Sequence, residues 1–349
     1  MKKHDISKVS MIAFLILLFG GLPFAGNHGK AIAAKKVWKL KIQSYTVPGE
    51  WDPQWTVPKK FTELVKKHTK GRVDMSFHPC GEMVGPREIW TGVSAGTIDG
   101  GTSLDIYEGG THPEFCFGIG GMWSIDEFYD VYHAGAIDIL NEQTVPENIR
   151  IIGYFPLMNF YSVSMKNEHI KTLEDFKRKK LRGMGGAANL FLKKVEAGII
   201  TLPMSEVPSA LQTGVVEGIH TGMGGLYAMD LWDVAPYYTV AHSGTYQFYF
   251  LLNESIYQEF PKNIRTQIDA AQREWEQWYR DYYKTFWKVI KKDVVAKGII
   301  WYELTPDEVK RWRELLTECS VEWVMKRTPA LGRKLFGIME KITGRKVVK

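Results

Sequence analysis

Cysteine is scarce: Cys80, Cys116 and Cys319 are the whole complement of 349 residues, they lie far apart, and none forms a Cys-x-x-Cys step. An odd count permits at most one disulfide and leaves a spare thiol. Histidine is scattered, nine residues without a His-Glu-x-x-His helix, and no Gly-x-Ser-x-Gly elbow is present, so motifs for catalysis are few. His112-Pro-Glu-Phe-Cys116 comes nearest to a metal pair, and a lone His and Cys at that spacing read as ordinary loop and core residues. Long apolar runs are missing too. The stretch from Met11 to Phe19 is about half of the ~20 residues needed to cross a bilayer, and no later segment qualifies. No tract is disordered by composition.

Strong charge of one sign is also absent. The formal charge is +6, and removal of residues 1–33 would take away four lysines and one aspartate to leave +3. That is too mild to imply a nucleic-acid partner. Basic runs such as Lys177-Arg-Lys-Lys180 lack the interleaved aromatics on which single strands stack, and read as solvated helix faces.

What is present at the start is a secretory pattern: Lys2, Lys3 and Lys8, the apolar run, and Ala31-Ile-Ala33 before a cut. Residues 1–33 are therefore read as a signal peptide, with export to the periplasm and no stable membrane insertion after its removal. Beyond it, the length and 45% hydrophobic content allow a sizeable core and favour two lobes over one. Val37 to Ser44 has the period of a strand, Thr56 to Lys67 that of a helix, and Val73 to His78 that of a second strand. A helix from Glu88 to Ala95 completes a βαβ rhythm, and strands at Ile149–Phe155 and Phe160–Ser164 open a second α/β unit. Between Pro261 and Gly298 there is neither glycine nor proline, and Ile264, Ile268, Ala271, Trp275, Phe286 and Val289 recur at helical spacing. One unbroken helix here is ~50 Å long at about 1.5 Å per residue, enough to lie across both lobes. Thr305-Pro-Asp-Glu308 caps a last amphipathic helix.

The most telling stretch runs from Leu173 to Gly222. Thr172-Leu-Glu-Asp opens a short basic helix, Lys180-Leu-Arg182-Gly-Met-Gly-Gly turns into flexible backbone, and Met204 to Gly218 opens a second helix. An arginine so placed suits an anion, because its planar fork meets a carboxylate with two parallel hydrogen bonds. Gly183-Met-Gly185-Gly-Ala-Ala188 mimics a dinucleotide fingerprint, but the preceding Lys-Lys-Leu-Arg is not the buried apolar strand that fingerprint needs. An exported oxidoreductase is the weaker alternative, and no cofactor is expected.

Lys180-Leu-Arg182 followed by Glu206-Val-Pro-Ser-Ala-Leu211-Gln-Thr-Gly214-Val-Val-Glu217-Gly218 resembles the solute-binding proteins of tripartite ATP-independent periplasmic (TRAP) transporters. Gly71-Arg-Val, Gly81-Glu-Met-Val-Gly, Gly96-Thr-Ile-Asp and Val234-Ala-Pro-Tyr-Tyr extend the likeness over most of the chain. The resemblance implies an α/β, two-lobed periplasmic binding protein fold with an interlobe cleft and a long C-terminal helix spanning both lobes. Lobe I would take 34–157 and a returning segment near 246–275; lobe II would take 158–245 and the helices near 285–349. It implies no enzyme but a receptor that delivers a small-molecule organic acid to the membrane permease subunits of a TRAP transporter; a ligand-sensing receptor subunit of the same fold is an alternative.

It also makes Arg182 the carboxylate anchor. The nearest branch binds 2-oxo and hydroxy monocarboxylates and holds a cation through a Glu-Trp pair, where this chain has His220 and Thr221; its helping glutamine falls near Tyr161. Those departures speak against a bridging metal. Together with Tyr107, Phe160, Trp51 and Trp55 in or beside loops that could face the cleft, they suggest a monocarboxylate with an apolar or aromatic body.

Overall fold

Why the first sheet forms is visible in its opening strands. β1 (Trp38–Gln43) buries Trp38, Leu40 and Ile42 in alternation, and β2 (Val73–His78) lies parallel to it. The computed structural model describes residues 36–49, 52–158, 161–202 and 206–348; the expected signal peptide, Trp51 and Phe160 lie outside the described residues. Between those strands, Asp52 caps α1 (Pro53–His68) by accepting the Gln54 N–H at 2.9 Å. α2 (Ile89–Ala95) ends on Gly96 at φ 74, followed by β3 (Gly100–Leu104) and α3 (Asp105–Glu108). α4 (Ile125–Val131) and α5 (Ile137–Thr144) lead to β4 (Ile149–Met158).

The second sheet begins with β5 (Val163–Met165) and β6 (Lys180–Gly183), then α6 (Gly186–Lys194), β7 (Gly198–Thr201), α7 (Val207–Thr213), β8 (Gly218–His220), α8 (Met223–Ala228) and β9 (Tyr237–Val240). The chain then returns through β10 (Thr245–Asn253), α9 (Glu254–Glu259) and α10 (Lys262–Ala296), adds β11 (Ile300–Glu303), and ends in α11 (Pro306–Arg327) and α12 (Pro329–Thr343). Strand order is β2-β1-β3-β10-β4 in one sheet and β11-β9-β5-β8-β6-β7 in the other. β10 is antiparallel to both β3 and β4.

The short basic helix expected after Thr172 is only a turn, Leu173–Phe176, although its Thr172/Asp175 capping box forms. Arg178 adopts φ 64, which an α-helix cannot accommodate, and Lys180 already belongs to β6. The run Lys177–Lys180 is thus the approach to a strand rather than a helix face. The next helix is likewise shorter than its motif, since Gly214 stops α7 in the left-handed region.

α10 matches the glycine- and proline-free window closely. Its stripe divides: Ile264, Ile268, Ala271, Trp275 and Tyr279 enter the first core, while Phe286, Ile290 and Val294 enter the second. α11 also touches both sides. Its Trp312 ring packs 5.1 Å from Phe176 and 5.6 Å from Phe191, and its Ser320 donates to the Cys116 carbonyl at 2.6 Å. α12 lies on the first lobe, where Met339 occupies the space a side chain at Gly121 would need and Arg345 pairs with Glu127 at 2.7 Å. The crossover from β9 to β10 turns through His242 (φ 46) and Gly244 (φ 64), and Arg313 of α11 donates twice to the His242 carbonyl, at 3.0 and 2.8 Å. All three cysteines are free thiols.

Trp275 is fully buried, donates its indole N–H to the Val57 carbonyl at 2.8 Å, and packs tilted against Phe61 and edge-on to Phe155. Trp275→Ala is expected to destabilise the protein by ~3–5 kcal/mol in denaturant unfolding, with Trp275→Phe costing clearly less.

Candidate binding cleft

The loops that leave the carboxyl ends of β1, β2 and β3 in one sheet come close to those that leave β6 and β8 in the other, the usual place for a ligand in open α/β sheets. The approach is intimate. The Tyr246 hydroxyl, at the start of β10, meets the Met184 sulfur beyond β6 at 3.6 Å. A side chain at Gly224, on α8, would stand 2.8 Å from Asp52 Oδ1 and 2.9 Å from Pro53 Cδ. Beside this contact a small cavity of 20 Å³, lined in part by Pro53, Gln54, Met158, Met223, Tyr283 and Trp287, has room for about one water.

Arg182 sits on β6 in register with Ile200 of β7 and Ile219 of β8. It is 7% exposed, and its Nε donates to the Leu202 carbonyl at 3.3 Å. No carboxylate pairs with it among the described residues. Burial lowers its proton affinity, the Tyr107 and Tyr246 hydroxyls oppose that, and Arg87 adds to it. A desolvated guanidinium with no acid of its own is costly to keep and is satisfied by an external anion.

Tyr107 belongs to this group. It is half-buried after β3, burial raises its hydroxyl above the usual range, and the Arg182 and Arg87 charges pull it back. Its ring stands edge-on to Tyr45, 5.5 Å away. Tyr45 in turn donates to Gln54, whose amide donates to Asp52 Oδ1 at 3.2 Å. Burial pushes the Asp52 carboxyl up to about 6, against two hydrogen bonds from Gln54. Arg87, Tyr45, Gln54, Asp52 and Tyr246 were not singled out by sequence. Arg87 lies two residues past the Gly81-Glu-Met-Val-Gly motif, which is the one signal that pointed there.

His220 and Arg182 do not share a face. Arg182 pairs with Ile219, so the next residue of β8 points to the other side of the sheet. There His220 is enclosed by Phe191, Phe176 and Tyr161 at ring distances of 5.4, 5.6 and 5.7 Å. Neither ring nitrogen has a hydrogen-bond partner, and burial drives its pKa down to about 3. Tyr161 is fully buried beside it, 5.1 Å from the Tyr246 ring and wedged against Gly244. Thr221 is spent on the backbone: its N–H donates to Ser162 at 2.9 Å, its hydroxyl to Gly222 at 3.1 Å, and its carbonyl accepts from Tyr238. Trp55 packs on Phe77 at 4.8 Å and lines an open groove of 560 Å³ with Lys59, Lys60 and Trp278, a groove that Arg182 does not line. The structure thus brings Tyr107 to Arg182 and keeps His220, Tyr161, Thr221 and Trp55 in packing or backbone roles.

Residues 44–326 match the family described as bacterial extracellular solute-binding protein, family 7. A solute-binding protein of Albidiferax ferrireducens is 23% identical over 318 residues, covering 86% of this chain and 90% of that protein. The C4-dicarboxylate-binding periplasmic protein DctP of Rhodobacter capsulatus is 23% identical over 265 residues, covering 74% and 78%. Among solved structures, a TRAP periplasmic solute-binding protein of Rhodoferax ferrireducens with bound malonate superposes with a TM-score of 0.78 at 20% identity, covering 87% of this chain and 98% of that one. An extracytoplasmic solute receptor of Bordetella pertussis binding pyroglutamic acid gives 0.76 at 19% identity, covering 86% and 99%. These likenesses show the two-lobed fold.

Two outcomes test the cleft geometry. His220→Phe is expected to leave ligand affinity within about 2-fold and to raise stability, because a ring with two unpaired buried nitrogens is replaced by an apolar one of similar shape. The depressed His220 pKa means that the unfolded chain takes up a proton first, so this residue's contribution is full above the model-peptide value of 6.5 and is lost as pH falls towards about 3. Thermal unfolding of the variant should lose that part of the acid sensitivity. Gly224→Val is expected to hold the lobes apart and raise the ligand dissociation constant at least ~3-fold with an intact fold, read by calorimetry beside circular dichroism.

Proposed function

Because the chain belongs to the bacterial extracellular solute-binding proteins of family 7, we propose that it is an extracytoplasmic receptor that grips the carboxylate of a small organic acid with Arg182 and hands the acid to the membrane permease of a TRAP transporter. The family is one of receptors for transport, not of enzymes, and among the described residues no helix is long and apolar enough to cross a membrane. One observation carries the reading: Arg182 is buried in the cleft with no acid beside it among the described residues.

The physical cycle follows from the two lobes. In the open form Arg182 is solvated and costs little. When an acid binds, closure removes water, and a paired charge-assisted fork replaces hydration of the guanidinium. The ligand therefore binds the closed form better and shifts the population towards it. Release at the permease requires the reverse, a partner that favours the open form. Tyr107 supports the anchor from the opposite lobe with a neutral hydroxyl that can donate to a second ligand oxygen.

A thermal-shift panel of carboxylates identifies ligands, since a compound that binds only the native form raises its apparent stability. Arg182→Ala is then expected to weaken the best acid at least ~10-fold in calorimetry, a charge-assisted bond contributing about 1.5 kcal/mol or more. Arg182→Lys should recover only part, because an ammonium lacks the planar fork. An unchanged dissociation constant in the alanine variant refutes the anchor.

A further inference from the structure

The end of the chain carries charge that the protein does not balance. Residues 326–349 hold eight Lys and Arg against one acid, Glu340, a net +7, so residues 1–325 together supply −1 of the formal +6. An asymmetry of that kind points to a partner of opposite sign. The two faces of α12 divide accordingly. Gly332, Leu335, Phe336 and Met339 are buried, while Arg333, Lys334 and Lys341 are exposed, with Lys326 and Arg327 just before the helix and Lys346 just after it. Of the cations after residue 325, Arg345 alone finds a carboxylate among the described residues, Glu127 at 2.7 Å. Glu340 is spent inside the protein, accepting the Val347 and Val348 N–H groups at 2.7 and 2.8 Å. The acids nearby are taken as well. Lys194 holds Glu318 and Glu322 of α11 at 2.6 and 2.7 Å, and Arg280 holds Asp126 of α4 at 2.8 Å, which leaves Asp130 as the unpaired acid of α4 among the described residues.

Protein interfaces concentrate aromatic residues at their centre and are poor in lysine. The exposed face of α12 is the reverse: Ala330 and Gly337 lie among the cations, space over Gly337 is open, and Ile342 is its one large apolar side chain. Single-stranded nucleic acid would need stacking rings, which this face also lacks. A sheet of phosphate headgroups asks for neither rings nor pockets, only for cations that stand clear of their own acids. We propose that the exposed face of α12 is a docking surface for an anionic lipid bilayer, which turns the first lobe towards the membrane. The contact is peripheral, because the apolar side of the helix is already used by Leu335, Phe336 and Met339 and is not free to insert. It does not depend on which acid Arg182 holds. Its consequence is that a receptor serving a permease searches for it along a surface rather than through a volume.

The test is co-sedimentation of the mature protein, without residues 1–33, with vesicles of mixed phosphatidylglycerol and phosphatidylcholine and with vesicles of phosphatidylcholine alone. Binding is expected to the anionic vesicles only, and it should vanish at about 1 M salt, where the screening length is about 3 Å. A basic residue at such a surface contributes about 5-fold in partitioning, so Arg333→Gln/Lys334→Gln/Lys341→Gln should bind on the order of 100-fold more weakly with an unchanged thermal unfolding midpoint. Lys284→Gln/Lys288→Gln/Lys292→Gln removes the same charge from exposed positions on α10 and should bind nearly as the native protein does. A native protein that ignores anionic vesicles overturns the proposal, as does equal loss in the two variants, which makes the effect one of net charge. Docking to a permease held in neutral lipid that the α12 variant loses, without binding of the native protein to anionic vesicles, gives the face to an acidic protein surface and also overturns it.

Discussion

One helix has to serve two cores. The stripe of α10 gives Ile264 to Tyr279 to the first lobe and Phe286 to Val294 to the second, so its own continuity links the lobes. A helix resists stretching and sharp bending unless its ladder is broken, and this one carries neither proline nor glycine. The lobes are therefore kept from drifting apart, and the freedom left to them is rotation about the segments that pass between the sheets. Every feature of the cleft inherits that restriction. Gly224 matters because the path ends with α8 pressed against Asp52 and Pro53.

The polar interior shows the same economy. Asp105 is fully buried after β3, and burial pushes its carboxyl up to about 8 although Gln247 and the Ile106 N–H all donate to it. Gln247 also donates to the Phe115 carbonyl and accepts from Tyr132, whose hydroxyl meets that of Tyr249 at 2.7 Å. This network joins α3, the loop before α4 and the returning β10, and so it fixes the first lobe's side of the cleft. Cleft residues on the loops can then be few, since the scaffold beneath them is already rigid.

How much of this was legible follows from what each signal depends on. β1, α1, β2 and α10 were readable because apolar spacing is a property of adjacent residues, and the absence of glycine and proline delimits α10 almost to the residue. Arg182 was singled out only through the motifs around it. Tyr45 and Asp52 were not, because their places beside Tyr107 and Gly224 depend on contacts between residues far apart in the sequence. His220 shows the complementary case. Its position in the motif invited a ligand role, but in a strand the face is decided by register, and Arg182 happens to pair with Ile219. The basic run Lys177–Lys180 misled for a local reason, a left-handed Arg178 that no periodicity announces.

The antiparallel placement of β10 between β3 and β4 has a bearing on how the molecule comes into being. The first sheet lacks its fourth strand until residue 245 has been made, and α12 then returns the last helix to residues near Gly121 and Glu127. A chain delivered from its amino end thus has no finished lobe to fold while the rest is still arriving. Many of its contacts span long sequence separations, a topology that slows folding and leaves unpaired strand edges exposed meanwhile. The architecture that lets two lobes rock on one helix also makes the protein dependent on being kept unaggregated until its final residues are in place.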